Sequence, residues 1–211
     1  MNEISFNCEG RTLLKAFLAD NFSAELIEKF DKITELYNEV NSVINISAIK
    51  DADGIYIKHY LDSIYPYKYF NGSCCDVGCG GGFPCIPLSI VTDCEFLGID
   101  GVGKKLTLVD KCAAALGLKL KSRHARAEEL KHTTARFDTV CARAVSDIDK
   151  VLSYCAPLCK PDGRIVLYKT QSEERAKPAT ENKFKVELAE IKDYTLFGTD
   201  ISRRLFVYDK R

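Results

Sequence analysis

The chain has 211 residues, 46% of them apolar, enough to fill the core of one α/β domain and a helical appendage. Its 30 basic side chains balance 30 acidic ones, so overall charge does not mark a nucleic-acid binder. No apolar run of ~20 residues and no leader with a basic start and apolar centre occurs, and the expectation is a soluble cytoplasmic protein without a membrane partner.

Residues 1–70 read as an N-terminal helical extension packed on the core. Leu13, Leu14, Phe17 and Leu18 make one apolar face. Leu26, Ile27, Phe30, Ile33, Leu36, Tyr37 and Val40 make a longer one at three-and-four spacing. Ser23 is a suitable N-cap. A polar connection is expected over 41–53, then a third helix over 54–70 with Ile57, Leu61 and Ile64 on one side.

At Asp76-Val77-Gly78-Cys79-Gly80-Gly81-Gly82-Phe83-Pro84 a short apolar run gives way to alternate glycines. A helical pattern follows, with Pro84 and Pro87 fitting its first turn. Glycine is needed where a side chain would block a ligand or where φ must be positive, so strand, loop and helix start form a nucleotide-type pocket. Phe83 stands where a dinucleotide fingerprint wants a small residue, and no Gly-Lys-Ser/Thr closes the loop, so NAD is weakened and ATP or GTP hydrolysis unsupported. Asp100 follows the run Cys94-Glu95-Phe96-Leu97-Gly98-Ile99. A carboxylate at that strand tip can accept both hydroxyls of a ribose, as in the S-adenosylmethionine sites of doubly wound methyltransferases. Another nucleotide cofactor or a plain tight turn are the competing readings.

From Ser73 onward strand and helix patterns alternate, which predicts a parallel sheet with helices on both faces. Strands are expected at 74–77, 94–99, 119–123, 137–142 and 164–169. Segments 189–197 and 204–209 close a doubly wound, mostly parallel, seven-stranded sheet, so that 71–211 make the methyltransferase-type domain. Helices are expected at 84–92, 102–116 and 147–159, a turn at Pro161-Asp162-Gly163, and over 170–185 a helix start followed by a mobile loop. Between Lys104 and Lys131 eight basic side chains face only Asp110, Glu128 and Glu129. That cluster suits either phosphates or an ordinary solvated face.

Ten cysteines include no C-x-x-C pair, and the chain has three histidines, so neither zinc nor any other metal is expected. Cys74, Cys75, Cys94 and Cys141 lie in apolar strand-like runs, where a free thiol is a small hydrophobe suited to a reducing interior. Cys79 and Cys85 flank the glycine loop, where packing is the simpler role and oxidation the other.

Methyl transfer from a sulfonium is an in-line displacement on an activated donor, so the enzyme mainly supplies position and orientation. The place after the fourth strand reads Ala142-Arg143-Ala144-Val145, unlike the Asp/Asn-Pro-Pro-aromatic of adenine amino methyltransferases. Cys141 lacks the proline context of a cytosine-attacking thiolate. A ring nitrogen with a free lone pair, needing no base, fits this chain.

Tyr37-Asn38 to Asn45-Ile46-Ser47, Lys58-His59-Tyr60-Leu61-Asp62-Ser63-Ile64, Asp76 to Pro87, Arg126-Ala127-Glu128-Glu129, Ala142-Arg143-Ala144 and Leu167-Tyr168-Lys169 occur in that order. Over about residues 30–210 they resemble the ribosomal RNA small-subunit methyltransferase G family, also called glucose-inhibited division protein B. The resemblance implies methyl transfer from S-adenosylmethionine to nitrogen 7 of a guanosine in the 530 loop of 16S rRNA, free or in the small ribosomal subunit. Gly78, Phe83, Ala127, Glu128 and Arg143 fall on family cofactor positions, and Asp100 where an acid is frequent. With Gly80 and Gly82 of the loop they form the expected cofactor set. No general base is expected. His59, Asp62, Arg143 and Lys169 are the candidates for acceptor positioning: His59 and Asp62, one turn apart, to orient each other, to face the base or simply to pack, and Lys169 at a strand end to meet a phosphate. For Glu128 the plain alternative is a helix-start carboxylate, and for Arg143 a sheet-edge ion pair.

Cys85 replaces a usual glycine and Ile46-Ser47 a usual Leu-Thr, and the Tyr-Pro-Arg tail of many members is not present after Lys210-Arg211, which bears on RNA contacts. A small-molecule methyltransferase on the same fold and a non-catalytic RNA-binding assembly factor are the alternatives.

Overall fold

The structure is a computed structural model in which residues 6–130 and 136–211 are described. Its strands are β1 (Ser73–Val77), β2 (Glu95–Asp100), β3 (Leu120–His124), β4 (Phe137–Arg143), β5 (Cys159–Lys169), β6 (Val186–Thr195) and β7 (Ser202–Lys210). They form one sheet in the order β3-β2-β1-β4-β5-β7-β6. Strands β1 to β5 are parallel, and β7 runs antiparallel to both β5 and β6. This is the expected doubly wound, mostly parallel sheet. Central strands covered on both faces lose the alternation of half-exposed ones, and from Cys74 to Val77 every residue of β1 is buried.

On one face lie α1 (Glu9–Asn21), α2 (Ile27–Ile44), α3 (52–64), α4 (Cys85–Val91) and α5 (Leu106–Leu116). The other carries α6 (Ala127–Leu130), α7 (Ile148–Cys155) and α8 (Pro178–Phe184). Leu14, Phe30, Ile33, Tyr37 and Tyr60 of the first three helices share one apolar cluster with Ile86, Leu88, Val166 and Tyr168. Burial of each such side chain contributes about 1.5–3 kcal/mol. The end of α3 is tied to the sheet by the Tyr168 hydroxyl, which donates to the Ser63 carbonyl at 2.9 Å. Tyr65 also stacks on Tyr194 of β6, centroids 4.1 Å apart. The first five residues of the 1–70 extension, and Lys131 of the basic segment, lie outside the described residues.

Several boundaries differ from expectation. Asp51 caps α3 by accepting from Gly54 N at 2.8 Å, so the helix begins at Ala52. It stops at Ile64 rather than continuing to 70, because Pro66 has no N–H to donate. Its middle, Ile55–Leu61, is π-helical, which no sequence pattern announced. Helix α7 closes at Cys155 and passes into a 3₁₀ turn, Ala156–Leu158. The order within 170–185 is reversed: a turn and an irregular stretch come first and α8 second, because Pro178 fits a first helical turn. Strand β5 begins at Cys159, and the Pro161-Asp162-Gly163 turn bulges out of it: Phe137 pairs with Cys159 but Thr139 with Arg164.

Among the described residues no helix is long and apolar enough to cross a membrane, and no His/Cys/Asp/Glu cluster could hold a metal. Cys79 and Cys85 are buried, out of reach of a dissolved oxidant. Burial pushes the Cys85 thiol well above its usual range, which leaves it unreactive.

Candidate active site

In open α/β sheets ligands bind outside the carboxyl ends of the strands, where the strand order reverses. Here that point lies between β1 and β4. Past Val77 the chain turns sharply: the amides of Gly78 and Cys79 both donate to the Ile99 carbonyl, at 2.9 and 3.0 Å. Asp100 at the tip of β2 then fixes the loop. Its Oδ2 accepts from Gly80 N at 2.8 Å and its Oδ1 from Val102 N at 2.7 Å.

Above this loop is a cavity of about 230 Å³ whose lining includes Gly78, Asp100, Ala127, Glu128, Val145 and Tyr154. Four of the expected cofactor residues thus meet in one place. Gly80 has φ +55° and open space where a side chain would start, so at this position it is the backbone conformation that calls for glycine. Gly82 differs: φ is +95°, and a Cβ would come within 2.3 Å of Ile86 Cδ1. It faces the core, and lines neither this cavity nor its neighbour.

The neighbouring cavity, of about 540 Å³, shares Val145 with the first and is lined by Lys58, His59, Asp62, Arg143, Tyr168, Lys169, Glu173 and Arg203, among others. All four acceptor-positioning candidates meet here. Arg143 ends β4, donates to the Lys58 carbonyl at 3.0 Å, and approaches Asp62 Oδ2 at 3.5 Å. Arg203 Nε donates to the same oxygen at 3.2 Å. His59 and Asp62 therefore do not orient each other. The His59 ring stacks on Phe83, 4.3 Å between centroids and 9° between planes, with its Nε2 3.2 Å from Ser47 Oγ. Burial first, and then the Arg143 charge, push its pKa down to about 3. Phe83 is itself buried, and serves the site as the platform under His59. Lys169 donates to the Ser146 carbonyl and to Glu173 Oε1, the latter at 3.4 Å. Only 8% exposed, it lines the cavity with both contacts made inside the protein.

Sequence reasoning did not single out Arg203, Glu173 or the role of Asp76. Arg203 reaches the site because β7 is antiparallel to β5, so that its first residues lie at the ligand edge. Asp76, fully buried beneath the loop, accepts from Cys85 N at 3.0 Å through Oδ2 while Oδ1 has no partner among the described residues. Burial pushes its pKa up to about 6. Its place inside the motif was the available signal.

The model of the family described as rRNA small subunit methyltransferase G matches residues 26–206. The chain belongs to that family. Proteins named ribosomal RNA small subunit methyltransferase G from Geobacter sp. (strain M21) and Exiguobacterium sibiricum are 35% and 34% identical to it. The matches cover 91% and 88% of the chain and 92% and 83% of those relatives. Among solved structures, magnesium protoporphyrin IX methyltransferase from Synechocystis PCC 6803 with bound SAM has a TM-score of 0.56 at 16% identity, covering 100% of each chain. The T. thermophilus 16S rRNA N2 G1207 methyltransferase in complex with AdoMet and guanosine has a TM-score of 0.54 at 18% identity, covering 78% of this chain and 44% of the other. These two likenesses concern the fold. As a member of the rRNA small subunit methyltransferase G family, the protein is a methyltransferase.

The first cavity fits the methyl donor of this family by its own chemistry. Gly78, at φ +72°, brings bare backbone to the wall, where a Cβ would come within 2.9 Å of Val145; Asp100 and Glu128 offer carboxylates, and Ile99, Ala127 and Val145 give apolar walls. Gly80 and Gly82 should separate in stability. Gly80→Ala should cost about 1–2 kcal/mol, from the left-handed backbone alone. Gly82→Ala adds overpacking against Ile86 and should cost about 2–5 kcal/mol. Urea denaturation of both variants checks this, and equal losses would refute the contrast.

Proposed function

We propose that the protein transfers a methyl group from S-adenosylmethionine to nitrogen 7 of a guanosine in the 530 loop of 16S rRNA, free or in the small ribosomal subunit, in the cytoplasm. The observation that carries this reading is the adjacency of the two cavities across Val145. One is suited to a nucleoside-bearing donor and the other, flanked by Arg143 and Arg203, to a base with its phosphates. Bound in the first, S-adenosylmethionine supplies a methyl carbon already activated by its sulfonium.

The chain's residues then do the following. The Asp100 carboxylate holds the loop amides and accepts from the ribose hydroxyls. Glu128, exposed at the start of α6, lies at the adenine side with Ala127. Guanine nitrogen 7 has a lone pair and no proton, so no base has to act on it. His59, neutral down to about pH 3, braces the pocket instead. Methylation leaves positive charge on the purine. Asp62 and Glu173, which line the acceptor cavity and hold Arg143, Arg203 and Lys169, offset the cations there, so that the site does not oppose that charge as it develops.

Mass spectrometry of small-subunit RNA from cells with and without the gene tests the reading. One 7-methylguanosine should disappear with the gene, and the purified protein with S-adenosylmethionine should restore it. A methyl group on an exocyclic amine or a carbon would overturn the acceptor, and no binding of S-adenosylmethionine by calorimetry would overturn the donor.

A further inference from the structure

Among the described residues β3 is an outer strand of the sheet, paired only with β2. Side chains at every second position of a strand share one face. Lys119, immediately before β3, and Lys121 and Arg123 within it are such a set, with Lys121 beside Leu97 and Arg123 beside Ile99 of β2. All three are exposed, and among the described residues none makes an ion pair or side-chain hydrogen bond. Several other surface cations are paired: Lys111 of the same basic segment is bound to Glu39, Lys160 to Asp138, Arg204 to Asp193 and Arg211 to Glu187. Exposed lysines elsewhere that make no ion pair among the described residues, such as Lys15, Lys29 and Lys50, are not aligned along one strand.

The acids near the row are mostly committed elsewhere. Asp110 accepts from the Ser122 hydroxyl at 2.6 Å and Glu129 from the Arg126 amide at 3.2 Å. Glu95 shares a surface hollow with Lys119 and Lys121 and is the one carboxylate among its lining residues. Two-residue steps along a strand set the cations roughly 6.6 Å apart. Three positions beyond Arg123 the chain carries exposed Arg126, which lines the donor cavity. Evenly spaced, unpaired point charges on an open surface suit a polyanion with regular charges rather than a single enclosed phosphate.

We propose that Lys119, Lys121 and Arg123, continued by Arg126, are a track for the phosphate backbone of the RNA substrate, leading along the outer strand to the rim of the donor cavity. This rests on the reading that the substrate is RNA. Lysines on an edge strand also prevent strand-to-strand association, and the experiment separates the two roles.

Affinity for a 16S rRNA transcript is measured against salt for the parent, for Lys119→Ser/Lys121→Ser/Arg123→Ser, and for Lys111→Ser as a paired control. Each lost phosphate contact lowers the slope of log affinity against log salt by roughly 0.7–0.9. The triple variant should therefore lose about 2–3 in slope, the control should lose nothing, and S-adenosylmethionine binding by calorimetry should be unchanged in both. An unchanged slope overturns the track, and with new aggregation it assigns the row to edge protection. If the triple variant fails to fold, the single variant Lys121→Ser carries the test with an expected loss of about one contact. Absence of RNA binding by the parent would strike the proposed function itself, whereas a binding parent with an insensitive variant strikes only the track.

Discussion

Replacing Asp62 by alanine should lower the unfolding free energy by about 3 kcal/mol or more and remove most methyl transfer. Asp62 is 5% exposed, and one of its oxygens serves both Arg203 and Arg143. Their side chains are 24% and 15% exposed, so deleting the carboxylate leaves two largely desolvated guanidiniums facing each other. Removing one partner of a buried ion pair typically costs about 3–5 kcal/mol, because the charge left behind has lost its water and gained nothing. Asp62→Asn keeps the shape and an acceptor oxygen, and should lose less. Urea denaturation with a methylation assay decides the matter. A loss below about 1 kcal/mol in the alanine variant would mean that water already compensates these arginines.

The second large effect is on pH dependence, and the parent protein hides it. Burial keeps His59 neutral with a pKa of about 3, against about 6.5 when unfolded. The unfolded chain therefore takes up a proton that the folded chain refuses. The corresponding stability is fully present above about pH 6.5 and is lost, by about 5 kcal/mol in all, as pH falls toward 3. Asp76 works the other way. With its pKa raised to about 6 by burial, the folded chain holds a proton the unfolded chain has released. Its contribution is full below about pH 4 and is lost, by about 3 kcal/mol, as pH rises through 6.

Between about pH 4 and 6 the two slopes oppose each other at about 1.4 kcal/mol per pH unit each, and from these groups the parent's stability is nearly level. His59→Gln should then add a stability that falls with rising pH over that interval, and Asp76→Asn one that rises, both relative to the parent. Urea midpoints at several pH values read the difference directly. Parallel profiles for the three proteins would rule out both buried groups as sources.

The parts of the site that lie close together in sequence were legible. The glycine loop, the acid at the tip of β2 and the Arg126-Ala127-Glu128 segment each sit where one strand hands over to the next element, so spacing alone indicates that they meet. What could not be read was set by strand direction and by helix geometry. Arg203 reaches Asp62 across 141 positions of sequence only because β7 runs against β5, and a run of β-type residues does not declare its direction. The pairing imagined between His59 and Asp62 rested on helical spacing. The π-helical turns around His59 break that spacing, and distant arginines compete for the carboxylate. Gly82 shows the same limit at smaller scale: three alternating glycines look equivalent in sequence, yet only the fold reveals that one of them faces Ile86 rather than a ligand.

The position of β7 has a consequence for the order in which the molecule can become competent. Strand β7, which follows β6 in the chain, sits inside the sheet between β5 and β6, and carries the arginine that meets Asp62. During synthesis the donor loop, β1 to β5 and the helical face can all emerge and associate. Until β7 inserts, the β5 edge has no neighbour and the Asp62 carboxylate lacks Arg203. Pairing of that kind, between segments far apart in the chain, comes late in folding. The acceptor pocket is therefore completed only when the chain has emerged past β7, so a nascent fragment carrying the full glycine motif but not β7 would have no finished place for the base it is to modify.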